Sequence, residues 1–330
     1  MHKDNKVKKQ RVIFIFFIIV AFFVSLELVC QIGMMLLFRR WNAILYNPKY
    51  YYQRSNNHAL AYEFKRNISL TEGRQRSHIN KFGIRDDSDD LGEGKNRIGL
   101  LGDSAVFGIG LSQEDTLSAS LQAILEKNEH VKVLNFGVPG YGLSELRSYL
   151  ESIYPVYKPH KVIYILNLND FTLRNTIYEG ADNGLYRMYV HPVSKLPWII
   201  GKLIYRLQKG NALVSVRWYK WLFNGTRQKN LLCLSDMAHF ARLYNFEFYV
   251  VFLPVRSAYV SGSYALKEIN REISDFLDTL GIKCINPVGR FGNGPQLYFD
   301  KTDHLTREGC KLMARIIRDE FFEIKSKNTF

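Results

Sequence analysis

Apolar residues fall into three rhythms along this chain. From Val12 to Phe38 they run almost without interruption, broken chiefly by Glu27 and Gln31. From Trp41 to about Asn96 the pattern is polar, tyrosine-rich and without a period, with Asn47-Pro48 and the acids Asp86, Asp87, Asp89 and Asp90 marking turns. Beyond Arg97, short apolar runs alternate with stretches of helical spacing. They predict strands over Arg97 to Leu101, Val131 to Asn135 and Lys161 to Leu166, with helices over Thr116 to Lys127 and Leu143 to Tyr157. That order is the βαβαβ pattern of a parallel sheet. Phe171 to about Asn230 interrupts the rhythm with basic and aromatic positions and reads as an insertion. Alternation then resumes: a helix over Leu231 to Tyr244, a strand over Glu247 to Leu253, a helix over Tyr264 to Leu280, a short strand over Ile282 to Ile285, and a last helix from about Thr306 to Ile324.

The first rhythm has the length of a membrane span. A hydrocarbon core about 30 Å thick needs roughly 20 helical residues. Lys3, Lys6, Lys8, Lys9 and Arg11 precede the run, against the single acid Asp4, and no Ala-x-Ala cleavage site follows it. An uncleaved signal anchor is therefore expected, with the basic end in the cytoplasm and the rest extracytoplasmic, although Arg39 and Arg40 add positive charge to the far flank. A carboxylate at mid-bilayer is costly, so the deepest part is placed at Val12 to Leu26.

The expected organisation is a basic cytoplasmic N-terminus at 1–11, a transmembrane signal anchor at 12–38, a linker and lead-in at 39–96, an α/β domain at 97–324 carrying an insertion at 171–230, and a frayed tail at 325–330. Within the insertion, Leu196 to Leu207 mixes Trp198, Ile199, Ile200, Leu203 and Ile204 with Lys202 and Arg206. This suits a helix lying on a bilayer or a lid over a site, the alternative being an ordinary helix packed on the core.

The formal net charge of +14 is spread along the chain without a nucleic-acid-binding module. A membrane surface is the better partner, and no nucleic acid is expected. Cys30, Cys233, Cys284 and Cys310 lack the close spacing of a zinc site or a disulfide framework, and each sits in an apolar stretch as a free thiol would. Neither a metal nor an organic cofactor is implied, and the oligomeric state is left open.

Candidate chemistry lies in four segments, each after a strand-like run: Gly102-Asp103-Ser104, Gly137-Val138-Pro139-Gly140, Asn167-Leu168-Asn169-Asp170 and Asp303-His304-Leu305-Thr306. Open α/β folds place their sites at the carboxyl edge of the sheet, where such segments converge. Ser104, flanked by small residues, can present a nucleophilic hydroxyl and a backbone N–H. Gly140 lies in a loop where backbone can approach substrate without a Cβ. Asn169 offers a neutral amide donor for a negative oxygen. His304, with Thr306 as the expected cap of the following helix, is the natural base. Asp170 is expected to orient its loop. Taken singly, each is an ordinary turn or cap; as a set they supply a nucleophile, oxyanion donors and a base for acyl transfer.

As a set these residues resemble the SGNH (GDSL-type) hydrolases over roughly His78 to Glu320, and Ile79 to Arg85, with Asn80, Gly83 and Arg85, looks like the lead-in of membrane-anchored bacterial members. The resemblance implies a flavodoxin-like three-layer α/β/α domain with a parallel sheet, here preceded by one N-terminal transmembrane helix. It implies Ser104 as nucleophile, an oxyanion hole formed by Ser104, Gly140 and Asn169, and His304 as base. Two positions depart from the family pattern: Asn167 stands where glycine is usual, and Lys301 where the orienting aspartate is usual. Asp300 is favoured as that acid, because adjacent side chains such as those of Asp303 and His304 diverge in extended backbone; Asp303 is the alternative, and a Ser-His dyad can operate without either.

The expectation is a membrane-anchored, extracytoplasmic serine esterase or O-acyltransferase acting on acylated glycans or lipids. Two rivals stand beside it. One is a catalytically inactive SGNH fold that binds glycans or scaffolds envelope assembly. The other is a nucleotide-binding α/β protein, disfavoured because Gly102 to Gly110 lacks the Lys-Ser/Thr ending of a phosphate loop and Gln113 stands where a dinucleotide fingerprint wants glycine.

Overall fold

The computed structural model describes residues 2–40, 52–60, 62–72, 75–127, 130–172, 212–300 and 303–322. The chain divides into two compact units, Met1–Asn47 with Gly180–Leu207 and Pro48–Glu179 with Gln208–Phe330.

In the first unit the described residues form one helix, α1 (His2–Arg40). Ile13–Ile32 is long and apolar enough to cross a membrane, as an anchor or as a signal sequence. Its polar residues pair across one turn, Gln31 Nε2 donating to Glu27 Oε1 at 3.0 Å, which reduces the cost of carrying them in apolar surroundings.

The second unit begins with two small antiparallel sheets, β1 (Tyr52–Arg54) with β2 (Tyr62–Phe64) and β3 (Ile68–Glu72) with β4 (Gln75–Ile79). The expected linker is thus partly built into the body. Tyr62 and Phe64 alternate inward and are buried, the period of a half-buried strand.

There follow β5 (Asn96–Gly102), α2 (Ser104–Phe107), α3 (Leu117–Leu125), β6 (Val131–Gly137), α4 (Leu143–Tyr157) and β7 (Lys161–Leu166). Next come α5 (Ala212–Leu243), β8 (Glu247–Phe252), the hairpin β9 (Tyr259–Val260) and β10 (Ser263–Tyr264), α6 (Lys267–Thr279), β11 (Cys284–Ile285), α7 (Val288–Phe291) and α8 (Arg307–Phe321).

Five strands form a parallel sheet in the order β6-β5-β7-β8-β11. Numbered by sequence within the sheet this is 2-1-3-4-5, the flavodoxin-like order, whose direction reverses between the first and third strands, here β5 and β7. The alternation of β5 assigns its faces. Ile98 and Leu100 join α3 and α8 in one apolar core. At Gly99, on the other face, an added Cβ would lie 2.3 Å from the Phe136 ring, so that face is packed as tightly. Helices α4 and α6 both pack against α5. The architecture is three-layered, α/β/α.

Two boundaries differ from expectation. The predicted Leu231 to Tyr244 helix is the second half of α5, so 212–230 is helical. Val216, Tyr219, Leu222, Phe223, Thr226 and Asn230 are buried at helical spacing while Arg217, Trp218, Lys220 and Trp221 are exposed, and that outer face hid the period. The predicted Tyr264 to Leu280 helix starts at Lys267, because Tyr259–Tyr264 pairs as a hairpin across Ser261-Gly262, both at positive φ. Residues 196–207 and 325–330 lie outside the described residues.

Candidate active site

The turn after β5 carries Ser104 and the turn after β7 carries Asn167 and Asn169, so both loops open from the carboxyl ends of the two strands at the reversal point. The next carboxyl end is tied in by register, Gly102 opposite Gly137 and Val138 N–H donating to Gly102 C=O at 3.0 Å. Gly137 must be glycine: a Cβ there would lie 2.1 Å from the Phe107 backbone nitrogen.

Ser104 opens the single turn of α2. Asp103 caps it, accepting from Ala105 N–H at 2.9 Å through Oδ1. Arg85 closes its far side, donating to the carbonyls of Phe107 and Gly108 at 2.8 Å and of Leu111 at 2.7 Å while lying over the Phe107 ring. Arg85 is buried, and these bonds satisfy its guanidinium. The lead-in segment thus braces the loop that carries Ser104. Asn80 shapes the turn before it, its Oδ1 accepting from Phe82 N–H and Ile84 N–H, with Gly83 at φ +87°.

His304 reaches this loop from 200 positions away, its Nε2 2.9 Å from Ser104 Oγ. On the other side its Nδ1 lies 2.9 Å from Asp300 Oδ2 and 3.8 Å from Asp303 Oδ1. Asp300 also accepts from Asp303 N–H at 3.1 Å and His304 N–H at 3.4 Å, so its carboxylate holds the turn as well as the ring. Thr306 caps α8 by accepting from Gly309 N–H at 3.2 Å, fixing the segment's exit.

The electrostatics of this corner are acidic. Burial pulls the imidazole of His304 down, but its bond to Asp300 and the charges of Asp303, Asp300 and Asp103 outweigh that and push it up to about 9. Burial and the neighbouring Asp303 charge raise the Asp103 carboxyl. Asp170, buried beneath the Asn loop, is raised well above the carboxylate range by burial and by Asp103. It binds Tyr164 O–H at 2.6 Å and accepts from Asn167 N–H at 3.2 Å, which orients the loop as expected of it.

Asn169 is held in a short turn by Asn167 Oδ1, which accepts its N–H at 3.3 Å. Its side-chain Nδ2 donates to Asp303 Oδ2 at 3.3 Å. Gly140 sits at φ +84° between Pro139, whose carbonyl accepts Tyr62 O–H at 2.6 Å, and Tyr141, whose hydroxyl donates to Tyr62 C=O. The first hairpin therefore props the Gly140 loop.

No protein-family model and no curated protein sequence matches this chain. Solved structures do. TesA matches at TM-score 0.47 and 13% identity, covering 68% of this chain and 96% of its own. The psychrotrophic esterase EstA from Pseudoalteromonas sp. matches at 0.44 and 15%, covering 68% and 95%. AlinE4, an SGNH-hydrolase family esterase, matches at 0.41 and 13%, covering 68% and 94%.

Three participants in the site's network escaped the sequence. Tyr219 comes from α5 and donates to Asp303 Oδ2 at 3.3 Å; its helical spacing with buried Val216, Leu222 and Phe223 was the available signal. Asn167, noted only as a departure near the oxyanion hole, is fully buried and donates to Asp303 Oδ2 at 2.8 Å and Asp103 Oδ2 at 3.2 Å. Asp103, passed over as the middle of a tripeptide, also accepts from Ser104 Oγ at 3.3 Å. The acids Asp300 and Asp303 with His304 bring three potential ligand atoms within 4.8 Å of one another, but imidazole and carboxylates already serve one another there.

Proposed function

We propose that this chain is a membrane-anchored, extracytoplasmic serine esterase or O-acyltransferase of SGNH type, acting on acylated glycans or lipids through an acyl-enzyme. The observation that carries the proposal is the hydrogen-bonded series from Ser104 Oγ through both nitrogens of His304 to Asp300, at 2.9 Å on each side. In this scheme neutral His304 takes the Ser104 proton at Nε2 as Oγ attacks the acyl carbon. The Nδ1 proton stays on the imidazole and is donated to the Asp300 carboxylate, which fixes the tautomer and stabilises the imidazolium. Backbone N–H groups of Ser104 and Gly140 and the Asn169 amide receive the oxyanion. The imidazolium returns its proton to the departing alkoxide. Water then releases the acyl group, or a sugar hydroxyl accepts it. The N-terminal helix holds the domain at the bilayer, where acylated lipids and envelope glycans are presented.

Turnover of a short-chain p-nitrophenyl ester by the detergent-solubilised full chain tests the scheme, with Ser104→Ala as control and a sugar alcohol added as competing acceptor. Release that depends on Ser104 supports it, and an acylated sugar product assigns transfer. Equal release by wild type and Ser104→Ala refutes it, and absence of release from the folded protein favours the inactive scaffold.

A further inference from the structure

Asp303 adjoins His304, yet its carboxylate turns away from the imidazole, as neighbouring side chains in extended backbone do. At 3.8 Å its Oδ1 is beyond hydrogen-bond reach of Nδ1, where Asp300 stands at 2.9 Å. Its other oxygen is crowded with donors. Asn167 Nδ2 at 2.8 Å, Asn169 Nδ2 at 3.3 Å and Tyr219 O–H at 3.3 Å all converge on Oδ2. The residue is 4% exposed. A carboxylate so buried needs several donors to offset its lost hydration.

We infer that Asp303 is a positioning residue for Asn169: a buried anionic anchor that aims the oxyanion amide and fastens α5 to it, leaving service of the imidazole to Asp300. The inference rests on the esterase reading of the site and deepens it.

The anchor works through the chemistry of the amide. Asn169 Nδ2 has two protons, and the one given to Asp303 fixes the amide plane, so the second points in a set direction. Asn169 Oδ1 is buried without a hydrogen-bond partner among the described residues. A flipped amide would set that oxygen against the Asp303 carboxylate, a repulsive contact, so the charge also selects which end of the amide faces Asp303. Asn167 extends the network. Where a glycine would leave nothing, its amide bridges Asp303 to Asp103, and Asp103 in turn binds Ser104 Oγ and caps α2. Tyr219 extends it in the other direction, into the long helix that begins at Ala212.

A double-mutant cycle on the full-length protein tests this. Measured on the high-pH plateau, where His304 is neutral with or without the Asp303 charge, Asp303→Asn is expected to lower kcat for a short-chain acyl ester about 100-fold, comparable to losing an oxyanion donor, with KM little changed. In an Asn169→Ala background the same substitution is expected to cost less than about threefold. Losses that simply multiply overturn the inference, as does wild-type kcat in Asp303→Asn. Tyr219→Phe, which keeps the charge, supplies a milder probe should Asp303→Asn fold poorly: a loss of a few fold is expected, again vanishing without Asn169. The side-chain amide resonances of 15N-labelled Asn169 read the anchor without turnover. They shift in Asp303→Asn and stay in place in Asp300→Asn if the inference holds; unmoved resonances in Asp303→Asn sink it. An inactive wild type with shifted Asn169 resonances counts against the esterase reading and leaves the anchor standing.

Discussion

Replacing Asp300 by asparagine keeps the shape of the turn but removes the charge nearest His304 Nδ1. In the wild type that imidazole is pushed from an ordinary 6.5 up to about 9. At about 1.4 kcal/mol per tenfold step, this is about 3 kcal/mol in favour of imidazolium, of which Asp300, 2.9 Å away, is the largest single source. Two consequences follow for catalysis. At pH 7 only about 1% of the free protein carries the neutral base, so kcat/KM should climb about tenfold per pH unit and level off near pH 9. In Asp300→Asn the imidazole loses its largest raising partner while the charges of Asp303 and Asp103 remain, so its titration falls and the curve levels off at lower pH. The plateau itself should be lower by about 100- to 10,000-fold, because imidazolium in the transition state loses its partner and the ring its tautomer. The assay is stopped-flow or steady-state release of p-nitrophenol from an acetyl ester between pH 5.5 and 10, corrected for spontaneous hydrolysis. A variant with the wild-type curve, in both position and height, refutes the assignment of Asp300 to the imidazole. If Asp303→Asn, and not Asp300→Asn, moves the curve to lower pH, the alternative acid is the right one.

Other expectations rest on different parts of the structure. Because the folded-state value of His304 is raised, its contribution to stability is fully present below pH 6.5, while the acids are ionised, and disappears as pH rises through about 9. Denaturant unfolding at pH 6.5 and 9.5 should therefore differ by about 2 to 3 kcal/mol more in wild type than in His304→Gln, and identical differences would contradict this. Arg85→Ala removes bonds to two buried carbonyls and a third that is half-buried, and should destabilise by about 2 to 4 kcal/mol while loosening the Ser104 turn; unchanged unfolding refutes the brace. Gly137→Ala places a Cβ against the backbone nitrogen of Phe107 and should cost about 3 kcal/mol or more, measured in the same way, with a small loss showing that α2 yields.

Strands β5, β6 and β7 and helix α4 were legible because continuous apolar runs and helical spacing bounded by glycine or polar turns leave little choice of element. Residues 212–230 were not legible, because Trp218, Lys220 and Trp221 on the outer face of α5 outweighed its buried stripe. The segment before Asn96 concealed two hairpins whose strands of three to five residues are too short to show a period. At the site, spacing after strand ends was enough to nominate Ser104, Gly140, Asn169 and His304, and the geometry places Ser104, His304 and Asp300 within hydrogen-bonding distance. It does not place Asn169 alone. That side chain is shared with Asp303, and no local pattern could reveal a network joining positions 103, 167, 219 and 303, since long-range contacts are set by the packing of α5 and the β7 turn.

The account stands on Ser104 Oγ being a nucleophile activated by His304. Peptide mapping by mass spectrometry, after the full-length protein meets a fluorophosphonate, reads this directly. The account predicts one phosphonyl adduct, on the peptide containing Ser104, forming faster as pH rises toward 9 and absent from Ser104→Ala and from His304→Gln at the same exposure. Folded wild-type protein that takes no label, or takes it on another residue, would contradict it.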